Sequence, residues 1–172
     1  MEQEKYLSTI IHSAGIALAG TFEDTSLEDW SHQYNVNVIG TVSVTKELLP
    51  VIKKSGTSIV LIASSAAQRP VANLVAYSAS KAALLSLTEN LAVELGPYKA
   101  RVNCLCPGLV ETPIHPWHGT DKSKKLIANF NEAHPLGRIG QPEDMAEALF
   151  SLSTHKWTTG SVLTVDGGIS LV

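Results

Sequence analysis

The order of apolar segments in this 172-residue chain predicts an α/β domain built on a parallel sheet. Three observations carry that expectation. Short apolar runs centred on Ile10, Val60 and Cys104 are continuous, as in strands covered on both faces. Longer segments with helical start and stop residues separate them. Each strand-like run ends in small or turn-forming residues, as at Ser13-Ala14-Gly15, Pro107-Gly108 and Asp166-Gly167-Gly168.

The elements follow in order. Leu7 to Ile11 reads as a buried strand running into His12-Ser13-Ala14-Gly15. Ser26 and Asp29 have the spacing of a helix-starting cap, and the helix is expected to reach about Lys54 before Gly56 stops it. Its valines are weak helix formers, so burial must hold it. Ser58 to Ala63 is the second strand; after a loop with Pro70, Ala79 to Leu95 is a long helix closed by Gly96-Pro97. Arg101 to Cys106 is the third strand. The long loop from 107 to about 121 carries His115, Trp117 and His118, with a short helical piece from Lys124 to Phe130. Pro142 opens the last helix, with Glu143 and Asp144 facing its positive end. Ser161 to Val165 is the fourth strand. No linker or repeat interrupts the series, so residues 1–172 form a single domain.

Composition excludes several function classes. Thirteen basic and sixteen acidic residues give a net charge of -3 without a basic run, which argues against nucleic acid as a partner. With 44% hydrophobic and 17% charged residues and a mean hydropathy of +0.10, disorder is excluded. No apolar stretch approaches the roughly 18 residues of a membrane span. The polar start, Met1 to Lys5, is not a signal peptide. Cys104 and Cys106, one residue apart, suit neither a disulfide nor a CxxC half-site and read as core thiols of a cytoplasmic protein. His115 and His118 lack carboxylate or thiolate companions, so no metal site is expected and an aromatic cluster of a substrate loop fits better. His12 is expected to be a buried histidine bonded to backbone.

Chemistry concentrates at strand ends and helix starts, where open α/β sheets place ligands. Tyr77 and Lys81 stand four residues apart, on one helix face. A phenol with a pKa of about 10 is a poor acid or base near neutrality, and a nearby ammonium would lower that value. Ser64, at the end of the preceding strand, could reach a substrate oxygen beside Tyr77; Ser65 is its weaker rival.

These residues, in this order, resemble the short-chain dehydrogenase/reductase family of the YxxxK type. His12-Ser13-Ala14-Gly15 is similar to the family's Asn-Asn-Ala-Gly turn, and Asn37-Val38-Ile39-Gly40 to its Asn-x-x-Gly segment. Ser64 precedes Tyr77 by the family's thirteen residues, and Lys81 completes the motif. Pro107-Gly108-Leu109-Val110-Glu111-Thr112 resembles the nicotinamide-side loop, and Pro135 to Arg138 and Val165 to Gly168 its C-terminal signatures. The resemblance implies a doubly wound, Rossmann-like sheet of four parallel strands with helices on both faces. It implies an NAD- or NADP-dependent oxidoreductase that moves a hydride between nicotinamide and a small-molecule carbonyl or secondary alcohol. Tyr77 would be the general acid/base, and Lys81 would lower its pKa and bind the nicotinamide ribose. Ser64 would orient the reacting oxygen, and Asn37 would hold a relay water behind Lys81. Ala14, Gly15, Pro107, Gly108, Val110 and Thr112 would join Tyr77 and Lys81 in holding the cofactor. A homo-oligomer, dimer or tetramer, through the two long helices is the matching expectation, with Leu84, Leu87, Leu91 and Val93 supplying surplus apolar surface.

One family feature has no counterpart. The Gly-rich turn that receives the cofactor pyrophosphate is missing, as is the residue that would select NAD or NADP. The reading is therefore an N-terminally truncated domain whose Leu7–Ile11 strand lies at an exposed edge. A catalytically incompetent remnant that binds a partner is the competing expectation.

Overall fold

The computed structural model describes residues 6–115, 117–120 and 123–172. The polar start read above, residues 1–5, and residues 116 and 121–122 of the long loop lie outside the described residues.

Four strands, β1 (Thr9–His12), β2 (Ser58–Ile62), β3 (Arg101–Pro107) and β4 (Val162–Val165), form one sheet in that order, and every neighbouring pair is parallel. The helices are α1 (Leu27–Tyr34), α2 (Gly40–Ser55), α3 (Val75–Leu95), α4 (Ser123–Ala133) and α5 (Pro142–Thr154). Alternation along the strands divides the core in two. Ile59, Leu61, Val102, Cys104 and Cys106 meet Ile52 of α2 and Leu84, Ala92 and Leu95 of α3. Val60 and Leu105 meet Leu152 of α5 on the opposite face. That is why the runs at β2 and β3 are continuously apolar. Each such Val, Leu or Ile side chain contributes about 1.5–3 kcal/mol by leaving water.

Most boundaries fall within a few residues of those expected, and the departures have causes. The single helix expected from Ser26 to Lys54 is one helical run broken by a π-helical segment, Asn35–Ile39, between α1 and α2. Nothing in local propensity marks such a bulge; it comes from the tertiary bonds of Asn37. Ser26 does cap α1, accepting the Asp29 N–H at 3.0 Å, and Gly56 does end α2 with a left-handed φ of 63°. Helix α3 begins at Val75, four residues earlier than expected, and Leu74 at its N-cap contributes no side-chain cap. Of the four residues expected to give α3 a surplus apolar face, Leu84 is spent in the core, Leu87 and Leu91 are half-buried, and Val93 is 79% exposed. Both cysteines are free and buried.

The three C-terminal motifs interlock at the ends of β3 and β4. Gly108 N–H donates to the Val165 carbonyl at 3.0 Å, and Leu136 N–H donates to the Gly167 carbonyl at 3.2 Å. Gly140 and Leu109 share a backbone bond of 2.9 Å. Asp166 accepts the Gly168 and Ser170 amides at 2.9 and 3.1 Å. Burial alone would raise its pKa, but these donors hold it below the usual carboxylate value. Arg138 grips Asp144 with two bonds of 2.7 Å, and Asp144 in turn caps α5 at Gln141. The Asp-Gly-Gly segment is thus a structural turn, with Gly167 and Gly168 at φ of 62° and 85°.

Gly108 leaves no room for a side chain: a Cβ there would lie 2.6 Å from Asp166 Cβ and 2.7 Å from its Cα. Gly96, at the end of α3, meets nothing within 4 Å. Gly108→Ala is therefore expected to cost about 1–3 kcal/mol, whereas Gly96→Ala should be neutral or stabilising by up to about 1 kcal/mol. Urea midpoints at constant slope measure both.

Candidate active site

The residues singled out by sequence gather at the C-terminal ends of β1, β2 and β3. Ser64 follows β2 in extended conformation (φ -168°, ψ 153°), and its Oγ accepts the Ala66 N–H at 3.2 Å, capping a short 3-10 turn, Ser65–Ala67. The hydroxyl proton of Ser64 is left free to donate. Ser65 is the first residue of that turn, and its carbonyl accepts the Gln68 and Arg69 amides, both at 3.0 Å.

Tyr77 and Lys81 lie in the first two turns of α3. The four-residue rise brings Lys81 Nζ to 5.9 Å from the Tyr77 ring centroid. Lys81 is 4% exposed, and Nζ donates to the Ile62 carbonyl at 2.8 Å, the acceptor freed where β2 ends. No carboxylate pairs with it; the ion pair seen among the described residues is Arg138–Asp144. Burial accordingly lowers the Lys81 pKa to about 8, against a smaller opposite pull from the thiols of Cys104 and Cys106. The same burial pushes the Tyr77 phenol above its ordinary value, and the nearby Ser64 hydroxyl draws it back.

Asn37 lies in the π-helical segment with no exposed surface. Its Oδ1 accepts the Ile16 N–H at 2.9 Å, and its Nδ2 donates to the Ile16 carbonyl at 3.0 Å and to Ser80 Oγ at 2.9 Å. Ser80 then donates to the Tyr77 carbonyl at 2.7 Å. The carboxamide spends both of its protons and its oxygen on protein groups, so it ties the Gly15 turn to α3 instead of presenting free donors. Sequence reading missed Ser80, although it stands inside the Tyr77–Lys81 motif one turn from Tyr77. The backbone of Gly15 presses into the same junction: a Cβ there would lie 3.2 Å from Asn37 Oδ1 and 3.2 Å from Lys81 Nζ.

The remaining positions surround this core. Ala14 is exposed beside Gly15. Pro107 ends β3, Val110 is buried and bridged to Gly140, and Thr112 Oγ1 faces the Val110 carbonyl at 3.4 Å. The loop beyond presents stacked rings: His115 and Trp117 lie 4.8 Å apart at 7°, with Phe130 tilted against Trp117 at 6.2 Å. Burial lowers the His115 pKa, and the neighbouring His118 acts in the same direction against the Val110 backbone. His12 is half-buried and bonds a side chain, not backbone: its Nε2 lies 3.0 Å from Thr45 Oγ1. Thr45 Oγ1 also lies 2.8 Å from the Thr41 carbonyl, which ties His12 to α2.

The Lys81 burial fixes a sign that can be checked. The ammonium is charged in both states below pH 8. Between pH 8 and 10 the folded chain has released the proton and the unfolded chain still holds it, so stability rises with pH. The gain should be on the order of 2 kcal/mol and absent from Lys81→Met, as read by denaturant titration at several pH values.

A family model described as "Enoyl-(Acyl carrier protein) reductase" matches residues 1–170. "Dehydrogenase/reductase SDR family member 4" of Sus scrofa is 41% identical over 152 residues, 87% of this chain and 54% of the relative. "Inactive 2-(S)-hydroxypropyl-CoM dehydrogenase 2" of Xanthobacter autotrophicus is 36% identical over 171 residues, 96% of this chain and 74% of the relative. The ligand-free aldohexose dehydrogenase of Thermoplasma acidophilum superposes with a TM-score of 0.89 at 31% identity, covering 97% of this chain and 69% of that one. ElxO with NADP bound gives 0.87 at 27% identity, covering 95% and 67%. The chain spans about half the length of the mammalian curated relatives it matches.

Proposed function

The chain belongs to the short-chain dehydrogenase/reductase family, and from that premise we propose that it supplies the catalytic half of a nicotinamide-dependent oxidoreductase acting on a carbonyl or secondary alcohol. The observation that carries this reading is the convergence of Ser64, Tyr77 and a buried, carboxylate-free Lys81 beside the Gly15 backbone. An ammonium with one protein acceptor has donors to spare for a pair of ligand hydroxyls, and Gly15 keeps the approach open. The residues present therefore fit a nicotinamide ribose. Relatives in this fold carry such cofactors, NADP in ElxO and NADH in a 4-hydroxyisoleucine dehydrogenase.

When bound, nicotinamide supplies or accepts the hydride at the substrate carbon. In the reducing direction Tyr77 Oη gives its proton to the substrate oxygen as negative charge develops there, and in the oxidising direction it takes that proton back. Ser64, its own proton free, donates to the same oxygen and fixes the carbonyl against Tyr77. Lys81 would hold the ribose through its remaining ammonium protons, and its charge would favour the phenolate. Ala14, Gly15, Pro107, Gly108, Val110 and Thr112 complete the cofactor's surroundings. The rings of His115, Trp117 and Phe130 offer a planar apolar wall to the substrate. Self-association would use the outer faces of α2 and α3, where Val44 and Val93 are 47% and 79% exposed. Among the described residues no helix is long and apolar enough to cross a membrane.

A second reading, a non-catalytic partner-binding chain, is favoured by one observation. The outer edge of β1 has no strand beside it among the described residues, and Ile11 on it is 43% exposed.

Titration of NADH and NADPH into the chain, followed by nicotinamide fluorescence, separates the two. Saturable binding weakened by Lys81→Met is expected for the oxidoreductase; no binding by a folded sample favours the partner-binding chain. Tyr77→Phe should leave cofactor binding in place and lower turnover by about 10²–10⁴. Undiminished turnover in that variant would remove Tyr77 as the acid/base.

A further inference from the structure

The segment Gly15 to Gly20 forms a strap outside the helices and strands, and its backbone is fastened at alternate residues. Ile16 is held on both its N–H and its carbonyl by Asn37. Gly20 N–H donates to the Asn73 carbonyl at 2.8 Å and bridges to Leu74, the N-cap of α3. Midway, Leu18 N–H donates to Oε1 of Gln33 at 2.9 Å. Gln33 stands one helical turn before Asn37. A four-residue turn rises about 6 Å, close to the roughly 6.6 Å spanned by two residues of extended chain. The two carboxamides therefore work as successive rungs on alternate residues of the strap.

Gln33 has no exposed surface, and its Nε2 has no hydrogen-bond partner among the described residues. The amide cannot be turned over to relieve that donor, because Nε2 would then face the Leu18 N–H. A buried orphan donor is a cost to the fold that an apolar side chain of equal length would avoid. What the glutamine supplies in return is a side-chain acceptor midway along the strap, between the Asn37 rung at Ile16 and the backbone bond at Gly20. Those ends are the site's own: Gly15 abuts Asn37 Oδ1 and Lys81 Nζ, and Gly20 is bound to the loop that launches Tyr77.

We propose that Gln33 is a positioning residue for the oxidoreductase site, holding the Gly15–Gly20 strap at its midpoint so that Gly15 stays seated against Lys81. This rests on the proposed function for its kinetic consequence, while its structural consequence stands apart from any cofactor. Gln33 touches neither Tyr77 nor Lys81 by hydrogen bond; it acts through the strap.

The test compares Gln33→Met, close in shape but without the acceptor, with Gln33→Glu, which retains an oxygen for Leu18. In Gln33→Met the Leu18 amide should exchange its hydrogen about tenfold faster while β2 and β3 amides are unchanged. The Lys81 titration, followed by NMR at its ε-carbon, should move upward from about 8 as the loosened strap admits water. The groups that face the ammonium, the Tyr77 ring and the Cys104 and Cys106 thiols, are untouched by the substitution. Where the chain binds NADH or NADPH, Gln33→Met should weaken that binding by about three- to tenfold, and Gln33→Glu should recover the slow Leu18 exchange. An unchanged Leu18 exchange rate overturns the proposal. So does faster exchange with a stationary Lys81 titration, which would make the rung structural only. A wild-type chain that binds neither cofactor overturns the proposed function instead, and leaves the exchange and titration results to decide on Gln33.

Discussion

Asn37 sits where three elements meet, and its carboxamide spends every polar atom on joining them. One oxygen and two protons bind the Ile16 backbone from β1's outgoing loop and the Ser80 hydroxyl of α3. The helix around it accommodates this by opening into a π-helical segment. Such bulges sit disproportionately at functional sites because they let a helix aim one side chain off its regular face. Without this junction, the loop would lose its hydrogen bonds at the residue next to Gly15, where that backbone meets Lys81. The first turn of α3 would also lose its tie to the neighbouring helix.

Around that junction the site's electrostatics follow from burial more than from charge pairing. Lys81 has a backbone carbonyl where a carboxylate would be the usual companion of a buried cation, and the lowered basicity is the result. Tyr77 is pushed the opposite way by the same low-polarity surroundings. The two pKa values therefore diverge, Lys81 falling to about 8 while Tyr77 rises from its ordinary value, because burial outweighs every nearby charge. The sheet makes this possible. Its two buried faces, one against α2 and α3 and one against α5, hold the C-terminal ends of β2 and β3 rigidly in register.

The edge strands carry a different character. β1 is short and half-buried, and its entry is fastened by Thr57 Oγ1 to the Leu7 carbonyl and by Ser58 N–H to the Ser8 carbonyl. β4 is equally short, but its outgoing turn is locked by Asp166, Pro135 and Gly108 into a single interleaved block. The order in the C-terminal half thus comes from close backbone approaches that only glycine permits, whereas the β1 side depends on side-chain hydrogen bonds to a loop.

Much of this was legible in the residues themselves. Continuous apolar runs set the strands and, at β2 and β3, demanded cover on both faces; the run at β1, read as a buried strand, is half-buried with Ile11 exposed because β1 lies at the edge of the sheet. Ser26, Gly56 and Pro142 marked helix ends because caps and stops are local chemistry. The spacing of Tyr77 and Lys81 placed them on one helix face by geometry alone. What only the tertiary structure decided were properties that depend on partners distant in the chain. The π-helical opening at Asn37, the early start of α3 without a side-chain cap, and the bond from His12 to Thr45 have no local signature. Neither does the role of Gln33, an unremarkable polar residue in an amphipathic helix until Leu18 is laid beside it. Local sequence specifies conformation where the energy is local; where a buried donor must find an acceptor tens of residues away, the packed fold makes the choice.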